Sequence, residues 1–413
     1  MTHNAPNVWK VPGYTETMVA IAAAFGAWSI LLPVVPLAVL DAGGSASLAG
    51  GTTGVFMAAT VITQILTPRM LRSFGYRPVM MAASFMLGVP AFGHLLGEEA
   101  WVTLTFSALR GIGFGALTVA QSALVAELAP VGLRGKATGM IGVFVGLAQT
   151  LFLPLGLAMS DWWGYSSVYI AAAAIGLLAV AMCIRLPRIK AQRVQPGVTA
   201  LPQVPTWKLV AVPALALTTV SISYGAISAF LSPAVREIDP RTGATLGGIL
   251  LSLVGAASLV CRYLAGVFAD RVGMAGRLYI PAQIAAFAAV ALIALVLHQQ
   301  WSVWWIVLGV VIFGGAFGIA QNEALLSMFE RLPRERVSEA SAIWNVFFDS
   351  GTGIGSTVLG AMVVAVTYSG AFGVGAVILL LGVAMSCADF MLGRSRVSEV
   401  DDIKTRLRRM RKV

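Results

Sequence analysis

The chain has 413 residues, of which 58% are hydrophobic and 11% charged, with a mean hydropathy of +0.85; soluble domains carry roughly 25% charged residues. That balance excludes a soluble domain and indicates a polytopic membrane protein. The net charge of +10 does not indicate nucleic acid, because its distribution along the chain follows membrane topology.

The first apolar block, from Met18 to Leu40, is longer than the core of a cleavable signal and follows Lys10 and Glu16, so it reads as a retained span. About 20 residues cross a hydrocarbon core of about 30 Å as a helix. On that measure the first six spans lie at 15–40, 46–68, 78–97, 101–128, 137–160 and 165–185. The Pro-rich, basic connection LPRIKAQRVQPGVTALPQVPTW follows and reads as a linker. Six more spans lie at 208–232, 244–268, 278–298, 301–329, 338–366 and 369–392. The expected organisation is a first six-helix bundle (1–185), a linker (186–207), a second six-helix bundle (208–392) and a basic tail (393–413), read as solvated and topogenic with a short helix on the anionic inner leaflet as the alternative. AQSALVAELAP from Ala120 aligns with AQNEALLSMFERLP from Ala320, and Pro33 with Pro233, at an offset of about 200. Such matches mark an internal duplication in one orientation.

Lys and Arg gather in alternate gaps. One set of gaps and both tails hold 24 of them, including Arg69, Arg72, Arg77, Arg134, Lys136, Arg188 and Lys190, and the other set holds Arg236 and Arg241. This positive-inside asymmetry places both termini in the cytoplasm, and the expected location is a bacterial inner membrane. Trp101, Trp162, Trp163, Trp301, Trp304 and Trp305 gather at outer span ends, as an aromatic belt does.

Polar residues inside spans are costly and point to function. Arg110 lies about nine residues from the outer end of its span, roughly 14 Å deep, and should face a cavity and have a partner or polar neighbours; the competing reading is an interfacial arginine hydrogen-bonded to backbone carbonyls. Gln121 and Gln149 follow, the latter near the membrane centre. In the second half Glu323, with Gln321 and Asn322 beside it, sits near the inner end of the tenth span. Asp349, in NVFFDSGTGIG, is eleven residues into its span, roughly 16 Å deep. Asn345 shares its helix face, and Gly351, Gly353 and Gly355 thin the helix for a close neighbour. Hydrocarbon disfavours a charged carboxylate unless an arginine offsets the effect, which suits a reversible proton carrier. The competing reading is a fixed hydrogen bond from Asp349 to backbone or to Asn345. Glu323 is the second proton-coupling candidate, against a pairing with a basic loop residue. Trp28, Tyr224 and Trp344 are the aromatic cavity candidates.

Between the eighth and ninth spans the chain reads GVFADRVG, Gly266 to Gly273, a G-x-x-x-D-R-x-G pattern. Gly266 permits close helix approach, and Asp270 and Arg271 can pair and cap helix ends. Arg262, eight residues earlier, reads as part of the same latch. The matching stretch of the first half, PRMLRSFGYRPVM, has Pro68, Arg72 and Ser73 where the pattern has glycine, acid and arginine, and keeps Gly75 and Arg77.

With twelve spans, a midpoint linker and the repeat, this pattern resembles the major facilitator superfamily over residues 15–392, near its sugar and drug efflux-like branch. The resemblance implies an all-α fold of twelve transmembrane helices in two pseudo-symmetric six-helix bundles, working by alternating access. It also implies a conformational latch mainly in the second half, and an Arg110 that modulates a nearby acid. GVFVGLAQTLFLPLG keeps only Gly146 and the Pro154 to Gly156 end of the family's antiporter signature. The function expected is proton-coupled export of an amphipathic or drug-like molecule. Proton-coupled uptake of a small organic anion or sugar, with Arg110 binding substrate, stays open, as does a transporter-like receptor without flux.

No enzyme signature is present: His3, His94 and His298 lie in predicted tails or outer loops, and the chain has no phosphate-binding loop and no C-x-x-C pair. Cys183, Cys261 and Cys387 are at no metal-ligand spacing and read as packing residues. The chain is expected to be no enzyme, to need no cofactor or metal beyond a proton gradient, and to have a small-molecule substrate and the lipid bilayer as its partners. A monomer suffices for this fold.

Overall fold

In hydrocarbon every backbone N–H and C=O must be satisfied within the segment, so apolar runs of this length fold as helices. The computed structural model describes residues 7–44, 46–191, 206–238, 243–332 and 336–393. Most of the expected linker and the basic tail lie outside the described residues, as does His3.

The first half comprises α1 (Tyr14–Ser29), α2 (Val34–Asp41), α3 (Ala46–Phe74), α4 (Tyr76–Gly88), α5 (Ala100–Leu128), α6 (Arg134–Trp163) and α7 (Tyr165–Ile184). The second comprises α8 (Thr206–Ile238), α9 (Gly243–Val272), α10 (Tyr279–Gln299), α11 (Trp304–Arg331), α12 (Val337–Ile354) and α13 (Gly360–Gly393). The first span is one apolar run interrupted before Pro33, which has no N–H to give, so that α1 and α2 share it. The third continues past Gly88 as a 3-10 turn through Pro90 to Leu96.

Among the described residues eleven helices are long and apolar enough to cross a membrane. The eleventh expected span, 338–366, does not qualify as one such helix. It carries Glu339 and Asp349, widens into a π turn at Gly355–Leu359, and runs into the last span across a left-handed Thr367 at φ 63°. The six tryptophans expected in an outer belt are all exposed.

The halves repeat one packing scheme. In the first, α3 packs on α5, α4 on α5 and α7, and α1 on α6 and α7; in the second, α9 packs on α11, α10 on α11 and α13, and α8 on α12 and α13. Even the small-residue seams recur. A Cβ on Gly111 or Gly115 of α5 would stand 2.2 and 2.4 Å from carbonyl oxygens of α3, and one on Gly314 or Gly318 of α11 would stand 2.5 and 2.1 Å from those of α9. Helix backbones therefore touch where hydrocarbon provides no hydrophobic drive for association.

Between halves, α6 lies along α9 and α3 along α12, again as a symmetric pair. The hydrogen bonds that cross this boundary among the described residues run from the basic end of the bundle to the level of Asp349.

Candidate functional site

The site is the seam between α12 and the helices α3 and α5 of the other half. α12 enters it on three successive helical turns. Ser341 donates its hydroxyl to the Val119 carbonyl at 2.8 Å, Asn345 donates its amide to the Ser341 carbonyl at 2.8 Å and to the Thr118 carbonyl at 3.4 Å, and Asp349 follows one turn on. The half-buried Asp349 carboxylate accepts from Gln64 Nε2 of α3 at 2.6 Å, and the same nitrogen lies 3.2 Å from Thr118 Oγ1. The competing reading, a fixed bond to backbone or to Asn345, is thus corrected: the partner is an amide of the opposite half.

Each half holds an aromatic group, and that of the second half includes Phe348, next to Asp349 in α12. In the second half Tyr224 stacks on Phe317 at 4.3 Å between centroids, Phe317 on Phe348 at 6.0 Å, and Phe348 on Trp344 at 5.1 Å. In the first, Trp28 stacks on Phe114 at 4.9 Å, with Phe25 and Phe56 edgewise or tilted against Phe114. Gly351 and Gly355 do thin α12, against α8, but a Cβ on Gly353 would meet nothing within 4 Å.

Arg110 is buried, and its partners are the carbonyl oxygens of Leu87 and Ala27 at 3.3 and 3.4 Å, with the Phe56 ring 5.7 Å away. The described residues give it no bond to an acid, and its hydrogen bonds match the competing reading, an arginine bound to backbone carbonyls. It closes a small cleft with Trp28, Thr52, Thr53, Phe56 and Ser107. His94, expected in a tail or outer loop, is buried beside the ring of Tyr169 at 5.2 Å. Tyr169 donates to Glu98 at 2.7 Å. Glu98 lies between the third and fourth spans, where burial pushes its carboxyl up and the Tyr169 bond works against that rise.

Glu323 is fully buried, but it accepts from the backbone N–H of Leu278 at 3.2 Å, just before α10, and fastens a turn within its own half. Among the described residues it pairs with no basic loop residue, and Arg331 pairs with Asp389. Gln321 accepts from Arg262 at 2.8 Å and its carbonyl from Trp344 at 3.1 Å. Asn322 accepts from Thr138 of α6 at 3.0 Å. Gln121 is buried, and among the described residues its amide oxygen has no hydrogen-bond partner; Gln149 is half-buried in α6.

At the basic end, Asp270 does not pair with Arg271, which is exposed. It accepts instead from the backbone N–H groups of Gly135 and Lys136, at 2.8 and 2.7 Å, in the first turn of α6. A carboxylate at a helix N-terminus meets unsatisfied donors and a favourable dipole. Gly266 allows this, since a Cβ there would stand 2.1 Å from the Gly135 carbonyl. Gly273 and Gly75 occupy matching left-handed positions, at φ 68° and 90°. Arg262 belongs elsewhere: it packs its side chain on Gly142 and lies 5.7 Å from the Trp344 ring.

The degenerate first-half loop has a contact of its own. Arg72, standing where the pattern has an acid, pairs with Glu339 in the first turn of α12 at 2.9 Å. The closure at this end is therefore shared by both halves, with the polarity of one contact reversed. Arg77 takes no part in it and lines a separate groove. Sequence reasoning missed Gln64, Thr118, Phe56, Phe114, Phe317 and Phe348; the aromatic spacing at Phe313, Phe317 and at Trp344, Phe348, one turn apart on each helix, is the signal that marks part of this set.

Cys183 is buried 3.6 Å from Ser84, and Cys261 and Cys387 are half-buried and free. Among the described residues no cluster of His, Cys, Asp and Glu could hold a metal.

Three comparisons bear on this architecture. The human organic anion transporter MFSD10 (TETRAN) superposes with a TM-score of 0.71 over 92% of this chain and 100% of that one, at 16% identity, which shows the fold. An uncharacterized MFS-type transporter, YbcL of Bacillus subtilis, is 26% identical over 78% of this chain and 81% of its own length. Citrate exporter 1 of Yarrowia lipolytica is 29% identical over 34% of this chain, a match that spans 21% of that exporter. Residues 17–356 match the family model described as Major Facilitator Superfamily, and the chain belongs to that family.

Proposed function

We propose that this transporter exports an amphipathic, drug-like solute in exchange for protons, with Asp349 as the group that carries the proton. The observation that carries this reading is the Asp349 carboxylate in the seam between halves, held by the neutral amide of Gln64 at 2.6 Å. An acid held by a neutral donor can gain and lose a proton without breaking an ion pair. The aromatic stack from Tyr224 to Trp344 supplies flat faces for an apolar solute, and the carboxylate beside it attracts a cationic group.

Alternating access would take this seam between two arrangements, of which the closed basic end is one. Closure at the basic end joins Asp270 to α6 and Arg72 to Glu339, and rocking of the halves would break both contacts while carrying Asp349 past the first-half surface. The test is proton release, read by a pH-indicator dye from purified protein, on addition of lipophilic cations, sugars or organic acids. Wild type should release protons on ligand addition and Asp349→Asn should bind without release. Binding with no release from either protein would overturn proton exchange at Asp349.

A second reading, proton-coupled uptake of a small organic anion, is favoured by Arg110. Its bonds to carbonyl oxygens are long, and it lines a cleft with Ser107, Thr52 and Thr53. Loss of transport in Arg110→Lys with proton release intact would favour it.

A further inference from the structure

A groove of about 710 Å³ opens on the flank of the first half at the basic end, between α4 and α7. Both helices pack on first-half neighbours, so the groove lies apart from the seam between halves. Its wall is apolar: Phe74, Met81 and Phe85 line it, and Phe74 and Phe85 are exposed. Its rim is cationic, with Arg77, Arg188 and Lys190, and its lining includes no acid.

The rim is built into the fold. Past α7 the chain turns back across the start of α4, where the Tyr76 N–H donates to the Ile189 carbonyl at 2.9 Å. A Cβ at Gly75 would stand 2.9 Å from that same carbonyl, so the left-handed glycine lets the two strands of chain touch. Arg188 and Lys190 flank the anchored Ile189, and both are exposed. Arg77 meets them from the first turn of α4.

We infer that this groove is a binding site for an anionic phospholipid, whose phosphate sits among Arg77, Arg188 and Lys190 while an acyl chain lies along Phe74, Met81 and Phe85. Charge and position select this occupant. A cationic rim above an apolar wall, at the end of the bundle where basic residues gather, matches a lipid whose negative headgroup lies directly over its hydrocarbon. The chain's own segments are the wrong charge to fill it: residues 394–413 hold eight Lys and Arg against three acids, and 192–205 adds Arg193 and no acid.

The test is native mass spectrometry of the full-length protein in detergent, with added phosphatidylglycerol or with phosphatidylcholine of the same acyl chains. Wild type should retain phosphatidylglycerol and little phosphatidylcholine. Arg188→Gln with Lys190→Gln should retain it roughly tenfold or more weakly, as loss of two cations at a membrane surface implies. Arg69→Gln with Arg277→Gln, an equal loss of exposed charge at the same end, should retain it as wild type does. Phe85→Ser should weaken it too, and inorganic phosphate should not displace it. Equal retention by the two double variants, equal retention of the two lipids, or displacement by phosphate alone would each overturn the assignment. The variant side chains are exposed, and unchanged melting temperatures without lipid will show that the fold is intact.

Discussion

Asp349 and Gln64 meet across the boundary between halves, so each reports on the other's role. Gln64→Leu removes the donor to the carboxylate, and a hydrogen bond to a charged group is worth about 1.5–3 kcal/mol. We expect proton-coupled transport in vesicles to fall about tenfold or more at equal amounts of folded protein, with a modest drop in melting temperature from the lost bond; undiminished coupling would remove Gln64 from the site. Glu98 offers a pH test in a different place. Its carboxyl is raised from the ordinary 4.5 by burial, so the folded state holds its proton to higher pH than the unfolded state does. Stability then falls as pH rises from the unfolded value through the raised folded one. Glu98→Gln should flatten the decline of melting temperature above pH 4.5, and an identical decline in both proteins would refute the assignment. Asp349 was legible in the sequence because a carboxylate stands out in an apolar run. Gln64 was not, since one amide among many gives no sign of what lies across a boundary. Glu323 stood out in the same way, as a carboxylate in an apolar run, but it binds a backbone N–H of Leu278, 45 residues away in sequence, which no spacing reveals.

At the scale of helices, close packing separates glycines that look alike in sequence. Gly115→Ala and Gly318→Ala each drive a methyl against a carbonyl of the neighbouring helix, at 2.4 and 2.1 Å. Overpacking of this kind costs about 1–3 kcal/mol. Gly353→Ala meets open space and replaces the poorer helix former, a gain of up to about 1 kcal/mol. Melting temperatures of the three purified variants should therefore split, two below wild type and one at or above it; a common direction would refute the packing account. Span positions were readable because lipid imposes both length and apolarity. The breaks within spans were less so: Pro33 announces the division between α1 and α2, but nothing local announces the π turn at Gly355–Leu359, which follows α12 where Gly351 and Gly355 press on α8.

For the whole molecule, the question is what holds the basic end shut. The expectation of a latch mainly in the second half came from reading Arg72 as the loss of an acid, when its meaning depends on Glu339 in the opposite half. Arg72→Glu should repel Glu339 and loosen this end, and Arg72→Glu with Glu339→Arg should restore it. A pair about a quarter exposed is worth about 1 kcal/mol at most, so populations should shift a few-fold. Electron–electron resonance distances between labels at Arg69 and Met274, in a cysteine-free background, read this directly. A distance distribution unchanged by Arg72→Glu would place the closure elsewhere, in Asp270 and the first turn of α6. The duplication was visible from the 200-residue offset, and with it the symmetric packing of α3 on α5 and α9 on α11.

The depth of Asp349 has an electrical consequence. A proton resting roughly 16 Å into a core of about 30 Å has crossed about half of the membrane's hydrocarbon. Since a full elementary charge gains about 2.3 kcal/mol per 100 mV, loading that proton from either side is worth about 1 kcal/mol per 100 mV. Membrane voltage, and not only the pH difference, would then set how often the carboxylate is filled from each face.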